Sequence, residues 1–452
     1  MNISYSSIKV SRRTLDFPHD YTIIISKNLF KKLGMDDSSI KLAAGKKKAA
    51  VHIYTEESAD DEVQLSDELL ISLSMPIKDR RFLLRYSTEQ KTLYIGPIIG
   101  ILTSIYINPS GEPDFRSIHT FCEELNKGIE DLGGLIYIFS LNGVSEQEVS
   151  GYFYEESNWR KAKLPFPDAI YNRIHSRRLE FEKDFKSLVQ QADIHKTSLF
   201  NFRFLSKAEV HSYLRLEEHL QPYLPEAELF SKEALISLLQ KFGEVYVKPI
   251  HGSQGRNIIR ISRNDQLYIL QFSSQQQKEP LCYSTLDKLA EDVTAKIKQK
   301  SFIIQQGIRL VEPDNRKIDF RVLCHKNKQN LWRTTSVVAR LSGEAEFVSN
   351  IARGGEIIRP LKALSQMFDL ETARQQLAQM KELSAEIAES IDRQADGLVV
   401  ELGIDMGVDE DGRLWLIEVN SKPSKNFEDK SNTIRPSAKA IIEYCTGQYL
   451  KR

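Results

Sequence analysis

The segment from Glu401 to Asn420 constrains the fold more than any other stretch of this 452-residue chain. It reads ELGIDMGVDEDGRLWLIEVN, two apolar runs on either side of Asp411-Gly412. Asp-Gly between such runs signals a two-residue hairpin, because a type I′ turn needs positive φ at both central positions. That turn sets Glu410 opposite Arg413 and, counting outward, Asp405 opposite Glu418, with Cβ atoms about 4.5–5.5 Å apart. Asn420, two residues on, shares their face. Leu402, Ile404, Met406, Trp415, Ile417 and Val419 are expected on the other, core-facing side. Two carboxylates this close either repel on a solvated face, with a raised pKa if shielded from water, or share a divalent cation. The hard oxygens of Asp, Glu and Asn suit Mg²⁺ beside substrate phosphates.

Upstream, YVKPIHGSQGRN places Lys248 at the end of an apolar strand, with Val245 and Val247 on its opposite face. The loop that follows carries Gly252, Ser253, Gln254, Gly255 and Arg256. Such a loop is either an ordinary turn or a cradle whose backbone N–H groups meet phosphate, with the lysine adding a point charge. His251 reads as a surface residue. No G-x-x-x-x-G-K-[ST] or G-x-G-x-x-G occurs, which excludes a P-loop and a dinucleotide fingerprint. Farther along, Asp319 and Arg321 share one strand face, Arg340 ends the next strand, and Arg353 stands beside Gly354-Gly355. Arginine so placed suits bidentate phosphate or carboxylate recognition, although an Asp–Arg pair on a solvated face is common.

The rest of the chain divides into three parts. Short β-branched runs, such as 21–25 and 50–54, predict a β-rich domain over 1–110, with turns that include the lysines at 46–48. The apolar run 93–107 contains Gly96, Pro97 and Gly100 and predicts strand–turn–strand rather than a membrane span. NPSGEP at 108–113 is the linker candidate. Helical spacing over 115–132, a stop at Gly133-Gly134 and a buried strand at 135–139 predict a small α/β region over 111–192. From 193 to 452, helices at 206–220, 231–242, 370–394 and 438–449 and strands near 245–247, 257–261, 267–271, 302–305, 317–324 and 332–340 predict an α+β domain rich in antiparallel pairs. No repeat of fixed period is expected. The 62 basic residues balance 62 acidic ones, which excludes a nucleic-acid binder that relies on bulk positive charge. Four scattered cysteines argue against a disulfide framework or Cys-type zinc site, and no apolar segment reads as a secretory signal or membrane span. The expectation is a soluble, cytoplasmic protein.

The order Lys207, Lys248-Pro with its glycine loop, Asp319-x-Arg321, 350–355, Asp405 and Glu418-x-Asn420 resembles the ATP-grasp fold. Within it, YVKPIHGSQGRN, ELGIDMGVDEDGRLWLIEVNSKP and LPFPDAIYNRI resemble the YheC/YheD family of endospore coat-associated proteins. The resemblance implies an α+β (α/β) chain: a C-terminal ATP-grasp fold of two α+β lobes, after a small α/β region and the N-terminal β-rich domain. It implies ATP at Lys207, Lys248, the 252–256 loop, Asp319 and a hinge at Gln305, Gln306 and Gly307. It leaves the ribose contact open, since Gln305 and Gln306 stand where many relatives have an acid. Asp405, Glu418 and Asn420 would hold Mg²⁺, and Arg321, Arg340 and Arg353 would steady the phosphoryl group or a substrate carboxylate. The implied activity is carboxylate–amine ligation through an acyl phosphate, with small-molecule or peptide substrates and spore coat proteins as partners. A spore-coat scaffold that uses the fold without turnover is the alternative. On this reading, the basic residues line one side of the site and the acids Asp405 and Glu418 the other.

Overall fold

The computed structural model describes residues 5–12, 21–36, 39–58, 60–252, 257–273, 279–297, 301–342, 355–425 and 433–451. Seven strands, Tyr5–Arg12, Thr22–Ser26, Ser39–Ala44, Lys47–Glu56, Glu62–Leu65, Arg80–Ser87 and Thr92–Gly96, close into a barrel, which leaves no sheet edge open. Lys47 and Lys48 lie inside a strand rather than in a turn. The barrel contains a repeat that the residues hid. Ser26 and Ser66 each cap a short helix by accepting the N–H of Leu29 or Leu69. Leu33 and Leu73 then donate to Leu29 and Leu69, and Met35 and Met75 to Phe30 and Leu70. Between the halves, Ile23 pairs with Leu65 and Ile25 with Val63, a pairing that maps onto itself when the halves exchange. Only these capping and core positions match, too few for a repeat to show in the letters.

The run 93–107 divides among three sheets: Thr92–Gly96 ends the barrel, Ile98–Leu102 opens a six-stranded sheet, and Tyr106–Ile107 joins a two-stranded one. NPSGEP, past this division, turns a two-stranded hairpin of Tyr106–Ile107 with Pro113–Asp114. In the sheet, Ile98–Leu102 lies parallel to Leu135–Val144 on one side and to Ala169–Asn172 on the other. The chain leaves Ile98–Leu102 through helix His119–Leu132 toward Leu135–Val144. It leaves Ala169–Asn172 through helix Lys183–Ile194 toward Ser198–Phe200, in the opposite direction. Such a reversal opens a crevice at the carboxyl ends of the two central strands. Barrel and sheet share one apolar core, in which Ile23, Leu93, Leu135 and Phe185 belong to the same cluster.

Two further sheets face each other beyond residue 200. One has the order Ala227–Leu229, Phe302–Gln306, Glu244–Pro249, Ile259–Asn264, Leu267–Phe272, Leu281–Tyr283, backed by helices Lys232–Phe242 and Leu286–Ile297. The other has the order Glu356–Ile358, Trp332–Leu341, Ile318–Lys326, Glu401–Val408, Leu414–Asn420, packed on helix Leu370–Gln394. Spacing of 3.6 residues predicts a stripe of Leu377, Met380, Leu383, Ile387 and Ile391; the helix buries the last four and half-buries Leu377.

The hairpin reaches the expected pairing by an unexpected route. Asp409 N–H donates to Arg413 O, and Gly412, at φ 81°, donates to Asp409 O, so the loop has three residues rather than two. That shifts the register by one, and Leu416 faces Met406. A bulge at Ile417 shifts it back, and Asp405 faces Glu418 after all. The same bulge corrects the expected core face: Leu414, Leu416 and Val419 join Leu402, Ile404 and Met406 in the core cluster, without Trp415 and Ile417.

Between the parallel sheet and the five-stranded sheet, Glu401 is fully buried. It accepts from the Tyr171 hydroxyl and the Lys425 ammonium, from His325 Nε2 at 2.9 Å and from Arg173 Nη1 at 3.4 Å. Burial alone would raise its pKa, but Lys425, His325 and Arg173 hold it below the ordinary carboxylate value of 4.5. Glu401→Gln would strand two buried cations, at a cost of about 3–5 kcal/mol, read as a lower unfolding midpoint in urea. A depressed carboxylate pKa stabilises above the ordinary value and loses that contribution as pH falls. The deficit of Glu401→Gln against wild type is therefore expected to shrink as pH drops below 4.5.

Candidate functional site

The strand Glu244–Pro249 buries Val245 and Val247 completely, which turns Tyr246 and Lys248 to the other face. Lys248 Nζ donates to Gln305 Oε1 on the neighbouring strand and has no carboxylate partner among the described residues. Burial pushes its pKa down to about 8, with Glu418 opposing and Lys207 adding to the fall. Lys207 opens helix Lys207–Arg215, whose capping box joins Ser206 and Glu209. Its ammonium donates to Glu418 Oε1 at 2.9 Å and to Gly252 O at 3.0 Å. Lys207, Lys248, Gln305 and Glu418, with Leu224, Ile303 and Leu416, line a cleft between the two sheets. Three charged groups from a helix end and two separate sheets thus meet at one mouth.

A second cluster lies deeper on the five-stranded sheet. Arg321 holds Asp405 through Nε and through Nη2 at 2.8 Å. Arg340 holds Asp319 at 2.6 and 2.7 Å and reaches Asp405 at 3.0 Å. Asn420 Nδ2 donates to Asp405 at 3.4 Å. Burial would raise the Asp405 pKa, but the two guanidiniums outweigh it and hold the carboxyl below its ordinary value. The raised pKa considered for facing carboxylates does not arise at Asp405. Asp405 is neutralised by arginine and Glu418 by lysine, so acids and bases interleave instead of lining opposite sides. Among the described residues no group of three His, Cys, Asp or Glu side chains is arranged to hold a metal. The available oxygen donors are two carboxylates and the Asn420 amide.

Gln305 and Gln306 end the strand Phe302–Gln306 and Gly307 follows it, with some of their backbone already committed. Gln306 N–H donates to Glu226 O and Gly307 N–H to Glu244 O. Gln305 turns its side chain to Lys248. His251 is exposed, as expected. The positions 253–256 and Arg353 lie outside the described residues. The residues missed in the sequence are Arg173, Arg177, Glu180, Lys422 and Lys425, which the fold draws toward the site from two distant segments. Only the arginine run at 173–178 and the lysines after Asn420 hinted at them.

The family described as YheC/D like ATP-grasp matches residues 196–447, more than half of the chain. The chain belongs to the YheC/D-like ATP-grasp family. The endospore coat-associated protein YheD of Bacillus subtilis (strain 168) is 27% identical over 407 residues, 88% of this chain and 87% of that protein. The endospore coat-associated protein YheC of the same organism is 23% identical over 283 residues, 62% of this chain and 76% of that protein. Among solved structures, D-alanyl-alanine synthetase A from Vibrio cholerae O1 biovar eltor str. N16961 is similar at a TM-score of 0.45 and 12% identity, over 79% of this chain and 99% of that one. The ATP-grasp ligase PsnB with its minimal precursor is similar at 0.42 and 13%, over 78% and 99%. The facing sheets after residue 200 are the two lobes of the ATP-grasp fold. No helix among the described residues is long and apolar enough to cross a membrane.

The two carboxylates facing each other in the ATP-grasp hairpin are expected to respond differently to amide substitution. Asp405→Asn leaves two buried guanidiniums short of an anion and should cost about 3–5 kcal/mol. Glu418→Gln breaks a pair that retains water contact and should cost about 1 kcal/mol or less. Urea unfolding of both variants beside wild type measures the contrast.

Proposed function

We propose that the cleft binds ATP with Mg²⁺ and that the chain is an ATP-grasp ligase, joining a carboxylate to an amine in endospore coat formation. The observation that carries this is the meeting of Lys207, Lys248 and Glu418 between the lobes. Lys207 and Lys248 would hold the phosphates, with Gly252 and the 253–256 loop beside them. Gln305, Gln306 and Gly307 would border the adenine, and Asp319 would act through Arg340. Glu418, Asp405 and Asn420 supply the hard oxygen donors that Mg²⁺ takes next to phosphate, and their chemistry fits it. When bound, Mg²⁺ neutralises charge on the phosphate oxygens. Arg321, Arg340 and Arg353 would steady the transferred group or the substrate carboxylate.

In this reaction the substrate carboxylate oxygen attacks the γ-phosphorus and the bond to the bridging oxygen breaks, giving ADP and an acyl phosphate. The amine nitrogen then attacks the acyl carbon, phosphate leaves with the C–O bond electrons, and the nitrogen gives up a proton to form the amide. The protein mainly positions and neutralises, which explains a site of cations and acids without a side-chain nucleophile. The cytoplasm, where ATP is made, fits this reading. The partners are the carboxylate and amine substrates, small molecules or peptides, with spore coat proteins as the downstream assembly. The Lys207–Glu418 ion pair supports a second reading, a nucleotide-binding coat scaffold without turnover.

Lys248→Ala is expected to weaken Mg·ATP binding at least about tenfold, since a buried charge-assisted contact contributes about 1.5–3 kcal/mol. Calorimetry that finds equal affinities in variant and wild type rejects the ATP site. ADP release with carboxylate and amine panels separates the ligase from the scaffold. Because Lys248 loses its proton near pH 8, affinity should fall as pH rises through about 8. Polyphosphate favours the charged lysine, so binding at that pH should take up protons. Titrations in buffers of different ionisation enthalpy measure the uptake, and Lys248→Ala should abolish it.

A further inference from the structure

The crevice at the carboxyl ends of Ile98–Leu102 and Ala169–Asn172 opens toward the ATP-grasp lobe. Arg173 N–H donates to Leu102 O and Thr103 Oγ1 to Arg173 O, so the segment 173–177 starts at the point where the sheet connections diverge. Arg173 is tied down by Glu401 and by Pro423 O at 2.8 Å. Arg177 follows four residues later, half-buried over the Phe204 ring at 4.9 Å, with Lys422 over the same ring at 4.7 Å. Phe204 precedes Leu205 and the capping Ser206, so this ring sits three residues before Lys207.

Among the described residues, the cations around Arg177 have carboxylate partners and Arg177 has none. Glu180 is taken by Lys422, Glu209 by Arg203 and Glu418 by Lys207. Arg177 contacts no carboxylate among the described residues; it donates to Phe204 O at 3.4 Å and Leu205 O at 3.1 Å. A guanidinium has five N–H donors, so about three remain. His175 on the same segment is exposed, and partial desolvation with Arg173, Lys422 and Arg116 pushes its pKa down to about 4. The charges of Arg177 and Lys207 both act on the exposed His251, which places the crevice near the mouth of the cleft. One uncompensated cation among three nearby acids fits a single negative charge better than a dianion.

We infer that Arg177 seats a second carboxylate of the acyl substrate, so that the ligase takes a dicarboxylate of the glutamyl or aspartyl type. This rests on the ATP-site reading above: one carboxylate would lie at the cleft for activation while Arg177 grips the other by a charge-assisted fork. The same chemistry is available from a free acidic amino-acid derivative or from an acidic residue in a peptide.

The test titrates full-length protein with N-acetylglutamate and N-acetylglutamine, and with acetylated tri-glutamate and tri-glutamine peptides, each with and without a non-hydrolysable ATP analogue and Mg²⁺. The expected result is at least about tenfold tighter binding of a glutamate probe than its glutamine counterpart, from the extra charge-assisted contact. Arg177→Gln, which keeps a donor for the two carbonyls, should remove about 10- to 100-fold of the glutamate affinity and leave that of the nucleotide within about twofold. Arg178→Ala, at a largely exposed neighbour, should change neither. Whichever glutamate arm binds more tightly identifies the free or the peptide source. Failure of wild type to prefer either glutamate probe, or unchanged glutamate affinity in Arg177→Gln, overturns the inference. Loss of nucleotide affinity alone in that variant would assign Arg177 to ATP and overturns it too. Absence of nucleotide binding in wild type would reject the ATP-site reading, while the titrations without nucleotide would still decide Arg177.

Discussion

Glu401 has no water to lean on, and the arrangement of the C-terminal lobe against the parallel sheet follows from that. A fully enclosed carboxylate is tolerated only if its charge and lone pairs are met. Here they are met by residues from three places: Tyr171 on the parallel strand with Arg173 just after it, His325 on the five-stranded sheet, and Lys425 on the loop beyond the hairpin. Sliding one sheet against the other would separate several charged pairs at once. Burial still pushes the Lys425 pKa down to about 8, which measures how little solvation remains there. The contact also fixes where the segment 173–177 emerges, and with it the position of Arg177.

The second consequence is a division of labour between two carboxylates facing each other across one strand pair. Asp405 is gripped by Arg321 and Arg340, both buried or nearly so. Glu418, at the cleft mouth, pairs with Lys207 and keeps part of its exposure. The bulge at Ile417 makes the pairing possible, because without it Glu418 would not sit opposite Asp405. One added residue in a strand thus sets the geometry of the proposed site.

Much of this was legible in the letters, and the failures have physical causes. Helix 370–394 was readable to its ends because long amphipathic periodicity is a local property, with Asp369 capping it. The Asp405–Glu418 pairing was foreseen from a two-residue turn, but a three-residue loop and a bulge offset each other, which the pattern of apolar residues cannot distinguish. Trp415 is buried as expected but outside the core cluster, and its indole donates to Asp409 at 2.7 Å on the hairpin itself. The twofold repeat of the barrel stayed hidden because backbone hydrogen bonds preserve it where side chains do not. Arg321 and Arg340 were recognisable as important, but their partners were not, since salt-bridge pairing depends on which strands become neighbours.

By itself the sequence determined the family, the element order and the hairpin that carries Asp405, Glu418 and Asn420, since these rest on neighbours in the chain and on turn chemistry. It could not determine which charges remain unpaired. Among the described residues, Lys248 and Arg177 lack a carboxylate partner because folding assigns the nearby acids to other cations. That assignment is made across separations of up to 242 residues, as between Glu180 and Lys422. Coulomb interactions depend on distance in space rather than along the chain, and only the tertiary structure sets that distance.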